Sequence, residues 1–237
     1  MVFINSPWQS YLNGDLTALN EQQKQGALLF FTSPQDGGAG CVNCHNGPTF
    51  SDENHHTIGF PQIGPGKGFG TSGDDDFARA SISGNDSERY SFRTPSLLNV
   101  AVTAPYTHSG AYQTLDQVLR HYDNPRREVN DYIDEQAWCR LPQFINTENC
   151  GNLYPNVGTN STNAINKLRN DQRTGASLLQ NINLNNGERT QLINFLESLT
   201  DPCVESRECL APWIADSVND NPDGQVLIAT DINGQAL

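Results

Sequence analysis

The sequence predicts an all-α domain with long irregular loops and one insertion. Helix starts are marked by capping boxes, in which a capping residue is followed three positions later by Gln or Glu. Long loops are indicated by a modest hydrophobic content of 36% and by many Gly, Pro, Asn, Asp and Ser residues. A chain of 237 residues can bury a hydrophobic core as one large domain or two small ones. The capping boxes are Asn20 with Gln23, Thr114 with Gln117, and Asn185 with Glu188.

The first predicted helix begins after Asn20 and includes Phe31. It ends before Pro34, since the residue that precedes a proline is disfavoured in a helix. A glycine-rich loop then leads to the first cysteine. A second glycine-rich stretch, 59–75, is also predicted to be a loop, and a short extended segment is expected at 92–94.

Two further helices have a clear apolar face. The helix that begins after Thr114 carries apolar residues at i, i+3, i+4 and i+7, and the helix that begins near Asn185 carries a second stripe. Residues 126–180, between them, have weak periodicity and are predicted to be an insertion. We therefore expect one domain over 1–212 and a tail without pattern over 213–237. The two stripes are Leu115, Val118, Leu119 and Tyr122, and Leu192, Phe195, Leu196 and Leu199.

The most informative motif is C-x-x-C-H, formed by Cys41, Cys44 and His45, which is typical of covalent c-type haem attachment. The two thiols can each form a thioether to a haem vinyl group, and the histidine can bind the iron as proximal ligand. A thioredoxin-like redox pair has no use for the histidine. A four-ligand zinc site needs a second pair at similar spacing, but the other cysteines lie at 139, 150, 203 and 209.

The motif and the helices together predict a cytochrome c-like haem domain with one covalent haem c. In such a domain, a helix before the motif packs against a closing helix, and the haem supplies much of the core. The long loops and the insertion account for the remaining length of this chain.

The composition excludes some partners. A formal net charge of −13 argues against nucleic acid or an anionic membrane as partner. It suits either docking to a basic redox protein or simply an acidic, well-hydrated surface. No apolar run approaches the roughly 20 residues that a transmembrane helix needs.

Cysteine use predicts an exported, periplasmic protein. The start of the chain lacks the basic and apolar regions of a signal peptide, whereas c-type haem is normally attached outside the cytoplasm. We therefore expect the chain to be a fragment or a processed piece of an exported protein. Four cysteines remain beyond the haem motif, and short loops favour the pairs Cys139–Cys150 and Cys203–Cys209 over four free thiols.

The iron's second axial ligand is left open by the residues alone. Met1 is the only methionine, so the common His/Met pair of electron-transfer haems is disfavoured. Tyr122 lies on the apolar stripe of its helix, where it is either a ligand or an ordinary core tyrosine. His121 is rotated about 100° from that stripe and is expected at its edge. The alternatives are His55, His56, His108, His121, a tyrosine or an open site.

Four sequence segments, in the same order along the chain, resemble the C-terminal haem domain of the bacterial di-haem cytochrome c peroxidase/MauG family. The resemblance covers about residues 5–125 and the last helix. The segments are Cys41 to His45 with Gly47-Pro48-Thr49-Phe50, then Phe92-Arg93-Thr94-Pro95-Ser96-Leu97-Leu98-Asn99-Val100-Ala101, then Thr103-Ala104-Pro105-Tyr106-Thr107-His108-Ser109-Gly110, and finally Thr114-Leu115 with His121-Tyr122.

The resemblance implies roles for individual residues. Arg93 would lie near the haem propionates, and His108 would belong to a polar network between two haems. Tyr122 matches the distal axial ligand, which is methionine in the peroxidases and tyrosine in MauG. Main-chain oxygens of Thr103 and Pro105 match ligands of a Ca²⁺ ion between haem domains. Two departures from the family pattern are Leu98, where arginine is common, and the single C-x-x-C-H motif.

These observations lead to three hypotheses of function. The first is an electron-transfer haem domain of a di-haem peroxidase or MauG-like oxidoreductase, whose peroxide-reacting haem belongs to another domain. Its partners would be that second haem domain or a redox protein, and the resemblance also allows a homodimer. The second is a stand-alone mono-haem peroxidase, which would need an acid–base residue among His55, His56 and His108. The third is a haem-based ligand-binding module.

Overall fold

The computed structural model describes residues 3–213, a mostly helical chain with little strand. Eight α-helices lie in this range: α1 Pro7–Leu12, α2 Glu21–Phe31, α3 Ala80–Ser83, α4 Leu115–Asp123, α5 Pro125–Asp134, α6 Val157–Thr174, α7 Asn186–Glu197 and α8 Arg207–Leu210. The all-α prediction is therefore confirmed. The predicted tail, 213–237, lies outside the described residues except for its first position.

The three predicted capping boxes begin α2, α4 and α7. In each, the capping side chain accepts a hydrogen bond from the backbone N–H three residues on, and the Gln or Glu there accepts one from the cap's N–H. Helix α7 ends at Glu197, before the last residue of its predicted apolar stripe. Leu199 nevertheless remains fully buried just beyond it.

Helix α1 was not predicted from the sequence. It is six residues long, is capped by Ser6 and has proline in its first turn. Its Trp8 ring stacks on Phe31, with centroids 5.7 Å apart, and meets Phe195 edge-on at 5.1 Å. Such a short helix shows no apolar periodicity, and it is held by packing against α2 and α7 rather than by propensity.

The main core forms where α2 crosses α7. The helices approach so closely that a Cβ atom on Gly26 would lie 1.9 Å from the Gln191 carbonyl oxygen. Phe30, Leu192 and Phe195 are almost completely buried in this contact. Leu115 and Leu119 of α4 complete the same cluster, so three helices with predicted capping boxes share one core.

The predicted insertion, 126–180, is more regular than its weak periodicity indicated. It contains nearly all of α5 and the whole of α6, which is 18 residues long. The buried face of α6 includes Asn160 and Ser161 among its apolar residues, and these polar positions dilute the hydrophobic pattern. A second core joins this segment to the chain just before α4. It is formed by Ala111, Tyr112, Tyr132, Trp138, Leu141, Cys150 and Val157.

The expected extended segment pairs with a second short strand. Strands β1, His55–Thr57, and β2, Ser91–Arg93, form an antiparallel two-stranded sheet in which His55 lies opposite Arg93. The long stretch 59–75 forms a loop, as predicted, with one isolated bridge between Phe69 and Asp75.

Both predicted cysteine pairs lie at disulfide distance. The Cα atoms of Cys139 and Cys150 are 5.6 Å apart, and those of Cys203 and Cys209 are 5.2 Å apart. Within residues 3–213, no helix combines the length and the apolar character needed to cross a membrane.

Candidate haem site

A cavity of about 490 Å³ lies between α2, α4, α7 and the loops that join them. Its volume falls in the range of cofactor pockets, which are typically concave and mostly apolar. The apolar stripe of α4 faces it, as do two leucines of α7. The side chains that form this wall include Phe30, Leu97, Leu115, Val118, Leu119, Leu192 and Leu196.

The haem-attachment motif enters this cavity from a tight turn after α2. Gly40 has a positive φ of 63° and donates its N–H to the Thr32 carbonyl, which joins the turn to the end of α2. A 3₁₀ turn over Cys41–Asn43 follows, and Cys41 and Cys44 both line the cavity.

The two motif cysteines are unpaired among the described residues. Burial raises the pKa of Cys41 to about 12 and that of Cys44 to about 11. Both groups are therefore neutral thiols at neutral pH. A redox-active pair depends on a low-pKa thiolate, so the environment does not favour a thioredoxin-like function.

His45 is oriented by a hydrogen bond to the main chain. Its Nδ1 atom lies 2.9 Å from the Phe50 carbonyl oxygen, which can only accept, so Nδ1 carries the proton and donates it. Nε2 is left with its lone pair, and the side chain lines the cavity. Burial lowers the pKa of His45, which favours the neutral imidazole. This is the arrangement in which a histidine binds a metal.

Tyr122 lines the same cavity from the last turn of α4. The ring of Phe60 meets it edge-on at 5.9 Å, and no hydrogen bond joins its hydroxyl to another described residue. Burial raises the pKa of Tyr122 above its usual range. Tyr106 also lines the cavity, but its hydroxyl donates to the Val100 carbonyl at 3.0 Å. Of these two tyrosines, Tyr122 is therefore the one whose phenol oxygen is free to bind a metal.

The other candidate histidines have different surroundings. His55 is exposed in β1 and does not line the cavity. His56 lines it, with Nε2 2.7 Å from a carboxylate oxygen of Asp52. His108 lines it and stacks on Phe92 with centroids 3.7 Å apart. The protein around His108 desolvates the imidazolium and lowers its pKa to about 4, although the ring is open to the cavity.

The expectation that His121 lies at the edge of the α4 stripe is wrong. Its side chain is 0% exposed, and it does not line the cavity. Nδ1 lies 3.0 Å from the Tyr112 hydroxyl and Nε2 lies 3.0 Å from the Ile58 carbonyl oxygen. Since both nitrogens are engaged, His121 has no atom available for iron. The insertion's core covers this face of α4, which the helical period alone did not reveal.

The remaining predicted residues border the cavity. Arg93 lines it and forms an ion pair with Glu53, in which both side chains are more than half exposed. Thr103 and Pro105 also line it and are otherwise exposed. Their role as main-chain Ca²⁺ ligands stays a prediction.

Sequence reasoning missed Asp52. This residue hydrogen-bonds His56, and its backbone N–H donates to the Cys44 carbonyl at 2.8 Å, so it joins the motif to β1. Cys44, Asp52 and His56 lie within mutual metal-ligand distance, but a thioether at Cys44 would remove that thiolate. The only signal in the sequence was the spacing of four between Asp52 and His56.

The residues present fit a covalent haem c. Two thiols at the required spacing and an oriented imidazole with a free nitrogen face an apolar cavity that also carries an unbonded phenol. No further residue has to move into the site to complete this donor set.

Comparisons with known proteins find similar cytochrome c peroxidases and MauG proteins. No family model matches the chain. The cytochrome-c peroxidase IdrP1 of Pseudomonas sp. is 34% identical over 137 residues, which are 49% of this chain and 35% of that protein. The methylamine utilization protein MauG of Methylorubrum extorquens is 34% identical over 120 residues, 49% of this chain and 29% of that protein.

A solved structure supports the fold. The crystal structure of a MauG-like protein associated with microbial copper homeostasis aligns with a TM-score of 0.56 and 24% identity. The alignment covers 90% of this chain and 56% of that one. The chain spans about a third of the length of the curated relatives it matches. At 28–38% identity over the matched segments, its curated homologues are the cytochrome c peroxidases and MauG of the di-haem family.

Proposed function

We propose that this chain is a c-type haem electron-transfer domain of a di-haem cytochrome c peroxidase/MauG-like oxidoreductase, in which it relays or stores oxidising equivalents. The observation that carries the proposal is the convergence of Cys41, Cys44, His45 and the unbonded Tyr122 hydroxyl on one apolar cavity. The relatives are cytochrome c peroxidases and MauG, and two thiols followed by a histidine are the donor set of a covalent haem c.

The bound haem would supply a centre that gains and loses single electrons. The chain's own residues then have distinct tasks. Cys41 and Cys44 would form the thioethers, and His45 would present Nε2 to the iron while Nδ1 donates to the Phe50 carbonyl. That hydrogen bond orients the imidazole and raises its basicity. The apolar side chains exclude water, which reduces solvent reorganisation around the redox centre.

Tyr122 is the proposed distal ligand. A phenolate lowers the reduction potential and favours the oxidised state, which suits storage of oxidising equivalents better than simple electron carriage. The free phenol resists ionisation, because burial raises its pKa. If Tyr122 held the iron as a phenolate, the positive charge of the ferric iron would have to offset this effect.

The border of the cavity supports further assignments. Arg93, which pairs with Glu53 at the cavity, would exchange that ion pair for a haem propionate. His108, which stacks on Phe92 at the cavity, would belong to a polar network between two haems. The two cysteine pairs at disulfide distance support an oxidising, exported setting such as the periplasm. A second haem domain or a redox protein would supply and accept the electrons.

A stand-alone peroxidase is the second candidate function. His56 and His108 both line the cavity, and the pair of His56 with Asp52 has the form of an oriented acid–base group. This reading requires an iron face that is open to peroxide, whereas Tyr122 lies at the cavity with a free hydroxyl.

Titration of the ferric, haem-loaded chain with hydrogen peroxide, followed by absorption spectroscopy, separates these functions. We expect wild type to be six-coordinate and unreactive, and Tyr122→Phe to become high-spin and reactive. Tyr106→Phe is the matched control, since it removes a cavity phenol whose hydroxyl is already bonded to main-chain carbonyls. A stoichiometric spectral change of wild type with peroxide would overturn the relay proposal and favour the peroxidase.

A further inference from the structure

His121 precedes Tyr122 on α4 and joins three segments of the chain. It is completely buried, and the centroid of its ring lies 4.4 Å from that of Phe60, with the two planes tilted by 30°. One nitrogen bonds the Ile58 carbonyl and the other the Tyr112 hydroxyl. These partners lie 63 and 9 residues away in sequence, so the bonds fasten α4 to two separate loops.

The hydrogen-bond chemistry gives the tautomer. The Ile58 carbonyl can only accept, so His121 Nε2 carries the proton and donates it. Nδ1 is then the acceptor, and the Tyr112 hydroxyl donates to it at 3.0 Å. The bond to Tyr112 is buried and the bond to Ile58 is partly buried. The loss of either partner would leave a polar atom of the fully buried His121 unsatisfied.

The bonded partners connect the cavity wall with the second core. Ile58 and Phe60 line the cavity, whereas Tyr112 packs in the second core, 5.8 Å from Tyr132. A helix of nine residues, as short as α4, is held in place by its side-chain contacts rather than by propensity. Adjacent helical residues differ by about 100° in direction, so holding His121 also sets the direction of Tyr122.

We propose that His121 is a positioning residue, whose two hydrogen bonds hold α4 in the rotation that keeps the Tyr122 hydroxyl at the haem cavity. The inference rests on the proposed ligation by Tyr122 and deepens it. It also makes distal ligation depend on the second core, through the Tyr112 hydroxyl. A merely structural histidine would stabilise the fold without influencing which atom binds the iron.

The test uses the ferric, haem-loaded chain and measures the iron–phenolate resonance Raman signature with the absorption spectrum, well below the unfolding temperature. Tyr112→Phe removes one bond and keeps the ring. We expect it to lower the ratio of ligated to unligated haem about fivefold, as suits the loss of one buried hydrogen bond. His121→Leu should lower the ratio further, and His121→Gln, which can still donate to Ile58, should restore part of it.

Tyr132→Phe is the matched control. It alters a neighbouring tyrosine of the same core, whose buried hydroxyl has no hydrogen-bond partner among the described residues, and should keep the wild-type signature. A full signature in Tyr112→Phe and His121→Leu, even with a lower melting temperature, would overturn the positioning role. If His121→Leu does not fold, the result for Tyr112→Phe alone decides whether His121 has the positioning role. A signature that survives Tyr122→Phe would instead show that the proposed ligand itself is wrong.

Discussion

Two tyrosines on one cavity differ in a single respect that decides their chemistry. The Tyr106 hydroxyl is within hydrogen-bond distance of the carbonyls of Val100 and Ala101, whereas the Tyr122 hydroxyl bonds no described residue. The Tyr122 side chain is partly buried and lines the cavity. Its unbonded hydroxyl is the observation behind the proposal that Tyr122 binds the iron of a haem held by His45.

Asp52 links the haem motif to β1 and should make stability depend on pH. Burial alone would raise its pKa, but hydrogen bonds from His56 and the Asn54 backbone outweigh this and lower the pKa of Asp52 to about 2. Because the folded pKa lies below the usual value of 3.8 for an aspartate, the contribution to stability is complete above about pH 4 and is lost as the pH falls towards 2.

The test compares urea unfolding of wild type and Asp52→Asn between pH 7 and pH 2.5. We expect the variant to be less stable at pH 7 by roughly 1–2 kcal/mol, with the difference closing at low pH. Glu53→Gln is the control, since it removes an exposed ion pair with Arg93 that should contribute little. A constant difference at every pH would show that the Asp52 charge is not responsible.

At the scale of single residues, local spacing predicted more than long-range contacts could. Cys41, Cys44 and His45 follow from the motif, and the helical period placed Tyr122 towards the cavity. The contact of His121 with Ile58 joins positions 63 residues apart. No local pattern encodes that pairing, and the position of His121 was accordingly mispredicted.

At the scale of elements, the crossing of α2 and α7 builds the wall behind the haem site. Gly26 permits this approach, because its missing Cβ would overlap the backbone at Gln191. Phe30 and Leu192, which flank the crossing, also line the cavity. A displacement of α7 relative to α2 would therefore change the shape of the cofactor site.

Gly26→Ala should separate these helices. The overlap is with backbone, so relief requires movement of a helix, and we expect a loss of about 2–4 kcal/mol in the free energy of unfolding. Gly158→Ala, in α6, is the matched control, because its Cβ would meet only a methyl group at 3.7 Å. It should be neutral or slightly stabilising, since Ala has the higher helix propensity. Equal melting temperatures for the two variants would contradict the close-packing account.

Helices that begin at a capping box could be predicted from the sequence, whereas helices that are held mainly by packing could not. The capping boxes at Asn20, Thr114 and Asn185 each begin a helix. Helix α1 depends on contacts of Trp8, and α6 carries polar residues on its buried face. In both cases tertiary contacts override weak local signals.

At the scale of the whole molecule, two cores meet at α4. Leu115 and Leu119 belong to the main core, whereas Val118 packs against the second. The Cys139–Cys150 pair closes the second core beside Trp138, whose indole N–H donates to the Cys150 carbonyl. The segment predicted as an insertion thus packs, through the second core, against the face of α4 that carries His121. This face lies beside the proposed ligand Tyr122.

The central claim is that one haem is attached covalently through Cys41 and Cys44. It is tested most directly by the intact mass and pyridine haemochrome spectrum of the denatured chain, produced by export with cytochrome c maturation. We expect one haem per chain with a two-thioether spectrum, a one-thioether spectrum in Cys41→Ala, and no covalent haem in the double Ala variant. A wild-type chain without covalent haem, or a double variant that retains it, would contradict the account.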